Sequence, residues 1–509
     1  MSELVYNSVG TMDSLRYFLP ELSLLGVFLV VFFMDLAMGR EQSRWTGPVG
    51  VIGLFCVLVI TLMSQGRLTA DGSAGVRLFS GMVVADPIAV FFKVIFLATA
   101  AITILMSWKS SELKGRRLGE YVGLLLLLCM GLFLMSSSTN LLMFYISMEV
   151  VSYLSYVLVG FVKGDRKGSE AALKYVLFGS VSSGAMLFGI SILYGLTGTL
   201  DLLALTQNLI EGANLAMYVG TSLVLVGIGY KISAVPFHFW TPDVYEGANT
   251  PMTAFLSVAS KAAGFALLIR FVFFGVSGLS GAALGAVDWQ RVLMFLSIVT
   301  MTLGNFVALH QKSMKRLLAY SSIAHAGYVL MGLSTLNHDG LFAALFYFAI
   351  YLLMNLGAFL VIISLRDRIE SEDQITSYIG LGRKFPMVAI LMGVFLFSLT
   401  GVPPFGGFIG KFYLFAAVIK AGFYKLAVIG VLNSVVSLFY YARILRAMFL
   451  ARTEDEEAGI ETPAPAHLSA HVIPLYSVML VMLAVPTVLL GIYWAPLQRW
   501  VESSVGFLF

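Results

Sequence analysis

Apolar runs long enough to cross a bilayer alternate with short polar connections along the whole chain. The runs fall at about 15–38, 49–64, 86–108, 121–137, 141–161, 169–194, 216–240, 250–276, 289–309, 317–336, 341–365, 385–419, 426–450 and 472–497. They predict fourteen helical spans, the second short and the twelfth longer than one helix needs. A bilayer offers no water to an exposed backbone, so a spanning chain of this pattern folds as helices. The expectation is an all-α polytopic membrane protein, a single membrane domain over residues 1–509, with no connection long enough for a soluble domain. The most polar connections, Arg366–Lys384 and Arg452–His471, read as surface loops. The first run is too long, too interrupted by Pro20 and Glu21, and too poor in preceding basic residues to be a secretory leader.

Two spans carry related interruptions. Span seven contains Ser233-Ala234-Val235-Pro236-Phe237, and span twelve contains Thr400-Gly401-Val402-Pro403-Pro404-Phe405-Gly406-Gly407. Proline deletes a helix hydrogen bond and clashes with the preceding turn. In a membrane the freed carbonyls must face protein or water. The two spans are an odd number apart, so they run in opposite directions. Broken helices of opposite direction predict two inverted five-helix repeats, 121–276 and 289–450, each containing one break.

Composition agrees with the pattern: the 509 residues are 59% hydrophobic and only 12% charged, about half the charge of a soluble domain. The net charge of +4 says little about partners, and without a basic patch no nucleic-acid partner is expected. Loop charges predict orientation. One set of loops carries 17 Lys and Arg, from Arg40 to Arg452, and the opposite set carries 6. This bias places both termini on the non-cytoplasmic side. Cys56 and Cys129 lie inside apolar runs and read as small buried hydrophobes. Without a Cys-x-x-Cys spacing, no iron–sulfur cluster or structural zinc is expected in this chain.

Against that apolar background five ionisable residues stand out: Glu149, Lys174, Lys231, Lys261 and Lys411. Each costs about 2.5–3.5 kcal/mol at the centre of a spanning helix. Burial disfavours a charge and a nearby opposite charge restores it. A lysine between those conditions can take up and release a proton as a carboxylate approaches or withdraws. Glu149 in span five and Lys174 in span six lie on antiparallel neighbours and are expected to pair as a switch. Lys231 and Lys261 flank the first break, and Lys411 follows the second. His325, inside span ten, and His238, just after the first break, are candidate relays. Lys93, Arg270, Arg443 and Arg446 are read as snorkelling to the interface.

Several motifs together resemble a known family. Glu149 in its Ser-Met-Glu setting, Glu170-Ala-Ala-Leu-Lys-Tyr, Lys231-Ile-Ser-Ala-Val-Pro-Phe-His-Phe-Trp-Thr-Pro-Asp-Val-Tyr-Glu-Gly-Ala and Lys315-Arg-Leu-Leu-Ala-Tyr-Ser-Ser-Ile-Ala-His are similar to the antiporter-like membrane subunits of respiratory complex I. The likeness covers about residues 15–450. Gly401-Val-Pro-Pro-Phe-Gly-Gly-Phe-Ile-Gly-Lys-Phe-Tyr-Leu-Phe is closest to the subunit N branch, although Pro-Pro-Thr is more common at this break. The resemblance implies a proton-translocating subunit in a bacterial inner membrane, packed among other complex I membrane subunits, lipid and internal water. NADH, flavin, iron–sulfur clusters and quinone belong to the complex, with no cofactor or redox centre in this chain. It also implies that Glu149 and Lys174 form the coupling pair, Lys231 is the central carrier, and Lys261 and Lys411 complete the path. A subunit of a multi-subunit cation/proton antiporter is the alternative. A haem carrier using His238 and His325 is disfavoured, because helical proteins of that class usually present several paired histidines.

Overall fold

The computed structural model describes residues 7–39, 41–70, 75–205, 215–276, 288–366, 373–451, 473–506 and 508. The Arg452–His471 loop, and Arg40, Arg368 and Arg452 of the charge count, lie outside the described residues. Among the described residues, twelve helices are long and apolar enough to cross a membrane. They coincide with twelve of the expected spans. The other two expected spans are also helical. Met314–Leu333 is too polar for that set, and all of it except Arg316 and Tyr320 is buried. Its polar side chains face protein rather than lipid. The twelfth span is two half-helices, Pro386–Thr400 and Gly406–Lys420.

Two helices form the interior. Thr250–Gly275 is buried along its whole length, and His338–Arg366 nearly so. The first packs against Leu118–Ser137, Leu215–Ile232 and His338–Arg366. Its start is strongly specified. The Asn249 side chain accepts from the Met252 N–H at 3.0 Å, Pro251 occupies the first turn, and Glu112 accepts from the Thr250 N–H at 2.6 Å. The helix widens into π turns at Leu256–Ser260, directly before Lys261, and at Arg270–Val276. Such turns concentrate at functional positions.

The first break differs from the expected span 216–240. Helix Leu215–Ile232 ends at the break, Ser233 takes φ 61°, and a separate helix, Trp240–Gly247, follows. The chain also holds a small sheet outside the spans: Asn7–Ser8 pairs parallel to Val76–Leu78, which pairs antiparallel to Val83–Ala85. Strands of two or three residues are too short to leave a readable alternation.

Three expectations are corrected here. Lys93 does not snorkel: its Nζ lies 2.5 Å from Glu21 Oε1, with both side chains buried. Nor does Arg270, fully buried at 2.5 and 2.7 Å from the two oxygens of Asp86 and donating to the Ser136 carbonyl. Both cations are held inside because a distant acid meets them; breaking such a pair strands a buried charge. Cys56 is exposed on the outside of the bundle, whereas Cys129 is buried. Arg443 donates to the Leu309 carbonyl at 2.8 Å and to the Gln311 carbonyl, closing the end of helix Trp289–Ala308.

Candidate functional site

Lys231 occupies the last turn of helix Leu215–Ile232 and is fully buried. Its Nζ donates to Ser152 Oγ at 3.2 Å. Ser152 lies three residues after Glu149 on helix Leu141–Val159, so the two share a face. Glu149 is within electrostatic range of Lys231, and its Oε1 is buried with no hydrogen-bond partner among the described residues. The Lys261 helix approaches Lys231 through Gly264, where a Cβ would come within 3.2 Å of Lys231 Cβ and 2.8 Å of Ile232 Cγ2.

Lys174 is elsewhere. Its helix, Arg166–Thr197, packs antiparallel on Leu141–Val159. The rings of Tyr156 and Tyr175 meet at 4.8 Å, and Gly160 lies against Ala172. This register sets Lys174 about nine residues from the level of Glu149, ~13 Å along the axis. The expected Glu149–Lys174 pair is absent among the described residues. Lys174 Nζ instead lies 2.7 Å from Glu170 and 2.8 Å from Asp243. Arg316 completes the cluster at 2.6 Å from Asp243 and 2.9 Å from Glu246. Lys315 Nζ donates to the Glu246 and Ala248 carbonyls at 2.9 and 3.0 Å, closing the end of helix Trp240–Gly247. Burial pushes the Asp243 carboxyl up, but Lys174 and Arg316 outweigh it and hold it below the usual carboxylate range. Glu170, Lys174, Asp243, Glu246 and Arg316, with Lys167 and Gly247, line a cleft. Asp243 and Glu246 lie inside the motif that carries the family resemblance, which was the available signal for them.

Lys261 is 2% exposed, and its Nζ has no hydrogen-bond partner among the described residues. It sits 5.8 Å from the centroid of the Tyr245 ring. His238 is buried after the first break with Nδ1 unpartnered, within electrostatic range of Lys261. His325 is buried in Met314–Leu333, with Nδ1 2.5 Å from Tyr347 Oη and Nε2 3.2 Å from Tyr441 Oη. Both ring nitrogens are engaged by tyrosines, which argues against an axial ligand to haem. The Tyr441 hydroxyl also bonds Ser321.

Lys411 is buried in the half-helix Gly406–Lys420. Its Nζ donates to the Thr400 carbonyl at 2.7 Å and Ser434 Oγ at 2.9 Å, and lies 4.6 Å over the Tyr328 ring. It thereby satisfies a carbonyl freed by the second break. Gly401 makes this possible: at φ 87°, a Cβ there would lie 2.8 Å from Lys411 Cδ. Lys411 and Lys261 are both within electrostatic range of His325. The structure thus groups Glu149 with Lys231, His325 with Tyr347 and Tyr441, and Lys411 with the second break. Lys261 stands between them and Lys174 stands apart.

Comparison with known proteins identifies the family. Residues 138–437 match the family model described as NADH:quinone oxidoreductase/Mrp antiporter, TM. An NADH-quinone oxidoreductase subunit N from Anaeromyxobacter sp. is 44% identical, over 97% of this chain and 96% of its own length. A chain from respiratory complex I of Thermus thermophilus with bound aureothin superposes with a TM-score of 0.76 at 29% identity, covering 95% of this chain and 99% of that one. A chain of the Mrp complex from Dietzia sp. DQ12-45-1b has a TM-score of 0.82 at 21% identity, covering 98% of each, which is a likeness of fold. The chain belongs to the NADH:quinone oxidoreductase/Mrp antiporter family of membrane proteins.

Proposed function

We propose that this chain is the proton-translocating membrane subunit of an NADH–quinone oxidoreductase, moving protons while electrons pass from NADH to quinone in other subunits. One observation carries the reading. Lys231, Lys261 and Lys411 are each 3% exposed or less, and none has an ion-pair partner among the described residues. A buried ammonium without a fixed counter-ion is a poor structural element and a usable proton carrier. Glu149, one helical turn from the Ser152 that receives Lys231, is the carboxylate best placed to hold or release that proton. His325 and Lys411 continue the line, and His238 lines its first section. Lys174, with Asp243 and Arg316, stands at the mouth of the line rather than as partner to Glu149.

The remaining parts of the reading follow from the same likeness. Residues 121–276 and 289–450 form inverted repeats, a division supported by the proline break in each. The chain sits in a bacterial inner membrane with both termini on the non-cytoplasmic side, packed against other membrane subunits, lipid and internal water. Flavin, iron–sulfur clusters and quinone are held elsewhere in the complex. A proton moved against 100 mV requires about 2.3 kcal/mol, which the redox reaction must deliver to the Glu149–Lys231 region. A cation/proton antiporter subunit is the second reading, since the matched family model covers both NADH:quinone oxidoreductase and Mrp antiporter subunits.

The test is Lys231→Ala in the whole complex reconstituted in proteoliposomes. Assembly is expected to persist and proton pumping to fall several-fold. Unchanged pumping would overturn the carrier role. Co-purification with antiporter subunits alone, without flavin and iron–sulfur subunits, would favour the second reading.

A further inference from the structure

Between Lys261 and His325 the line of titratable groups is interrupted, and three hydroxyls occupy the interruption. Tyr245 Oη, Ser322 Oγ and Tyr351 Oη are buried, and among the described residues none makes a hydrogen bond of ordinary length and angle. They come from three elements: the short helix after the first break, the His325 helix, and His338–Arg366. Their order in space is fixed by their neighbours. Lys261 Nζ lies 5.8 Å from the Tyr245 ring centroid. The Ser322 hydroxyl is near enough to both the Tyr245 and the Tyr351 phenols to interact with each. The Tyr351 ring packs on His325 with centroids 5.2 Å apart. Tyr347, one turn before Tyr351 with ring centroids 6.4 Å apart, places its hydroxyl 2.5 Å from His325 Nδ1.

A buried hydroxyl left without a partner costs about 1–3 kcal/mol. Phenylalanine and alanine would fill the same space without that cost. Native proteins satisfy such groups with ordered water where the site is polar. A hydroxyl can donate and accept at once, so a row of them joined by water can pass a proton by exchange.

We propose that Tyr245, Ser322 and Tyr351 hold a water-bridged relay that carries protons between Lys261 and His325, with Tyr245 as the junction from the first half of the chain to the second. The proposal rests on the reading of the lysines as proton carriers. The balance of the step is simple. The Lys261 ammonium gives its proton to the first oxygen of the row. Each oxygen passes its own proton to the next, one O–H bond forming as another breaks. Tyr347 delivers the last proton to the His325 imidazole and takes one from the row. No phenol keeps a charge, and the row is left reoriented.

The experiment measures the rate of proton pumping per assembled complex in proteoliposomes for Y245F, S322A, S322T, Y351F and K261A. Tyrosine to phenylalanine keeps the ring and removes only the oxygen. Y245F, S322A and Y351F are expected to slow pumping several-fold, to the level of K261A, and S322T to retain the parent rate. Should a tyrosine variant fail to assemble, the contrast of S322A with S322T decides. Parent-like rates in S322A and the assembled tyrosine variants, with K261A still slow, would overturn the relay and leave the lysine reading intact. A fast K261A would overturn the lysine reading, and the relay with it.

Discussion

The two proline breaks use one device and divide its labour differently. At the first, the Tyr230 carbonyl is taken by Trp240 Nε1 at 2.9 Å, and the Val235 N–H donates to Thr300 Oγ1 at 3.0 Å. Lys231 has no backbone duty and keeps one hydroxyl contact. At the second, Lys411 itself holds the Thr400 carbonyl, with Ser434 donating to the same oxygen at 3.0 Å. The second break is also braced from outside. A Cβ on Gly491 of helix Pro474–Ile492 would lie 1.7 Å from the Pro404 carbonyl oxygen, so the two backbones touch. The comparison separates two jobs that a buried lysine can do. Lys231 is free to respond to a carboxylate, while the ammonium of Lys411 is tied to the shape of the helix ends around it.

The sharpest way to break this comparison is to replace each lysine with methionine. Both variants are expected to lose most of the pumping. Only Lys411→Met should also lower thermal stability, by roughly 1.5–3 kcal/mol for a charge-assisted bond. Lys231→Met should leave the melting midpoint equal or higher, because a buried charge with one weak contact is replaced by an apolar side chain. Equal losses of stability would show that the two lysines do the same structural work. The glycines beneath them, which carry no proton, give a second contrast read in stability alone. Gly401→Ala combines a left-handed backbone with a clash on Lys411 and is expected to cost more than Gly264→Ala, where the backbone is helical and only overpacking of about 1–3 kcal/mol arises. Melting midpoints of the two assembled variants decide the order.

The smallest effect is the acid response of the Asp243 cleft. Its carboxyl titrates below the ordinary value, so its contribution is complete above the unfolded pKa of about 3.9 and is lost as pH falls through the lower folded value. Asp243→Asn should therefore lower stability modestly at neutral pH and flatten the acid side of the profile, the two proteins converging as pH falls through the folded value. An identical acid limb in both proteins would show that Lys174 and Arg316 do not stabilise this carboxylate.

Span positions, both breaks and the buried lysines were legible in the sequence, because apolar length and proline are local signals. Pairing between helices was not. Glu149 and Lys174 lie on consecutive spans, and only the contacts of Gly160 with Ala172 and Tyr156 with Tyr175 reveal that their levels differ. Lys93 and Arg270 looked like lone cations for the same reason. Glu21 lies two spans before Lys93, and Asp86 lies 184 residues before Arg270. Tyr245 and Ser322 sat within quoted motifs, yet a hydroxyl in an apolar run carries no spacing that distinguishes a relay from a satisfied core residue.

The wholly buried helix Thr250–Gly275 has a consequence for how the protein meets its surroundings. A span that touches lipid must match its hydrophobic length to the bilayer and answers a change in thickness by tilting or bending. This helix has no such boundary to match. Variations in membrane thickness or sterol content act on the outer ring, where Leu19–Ala37 and Tyr424–Phe449 carry most of their residues outside the protein interior. The segment that bears Lys261 is mechanically screened by its neighbours, as a shaft is by its bearing.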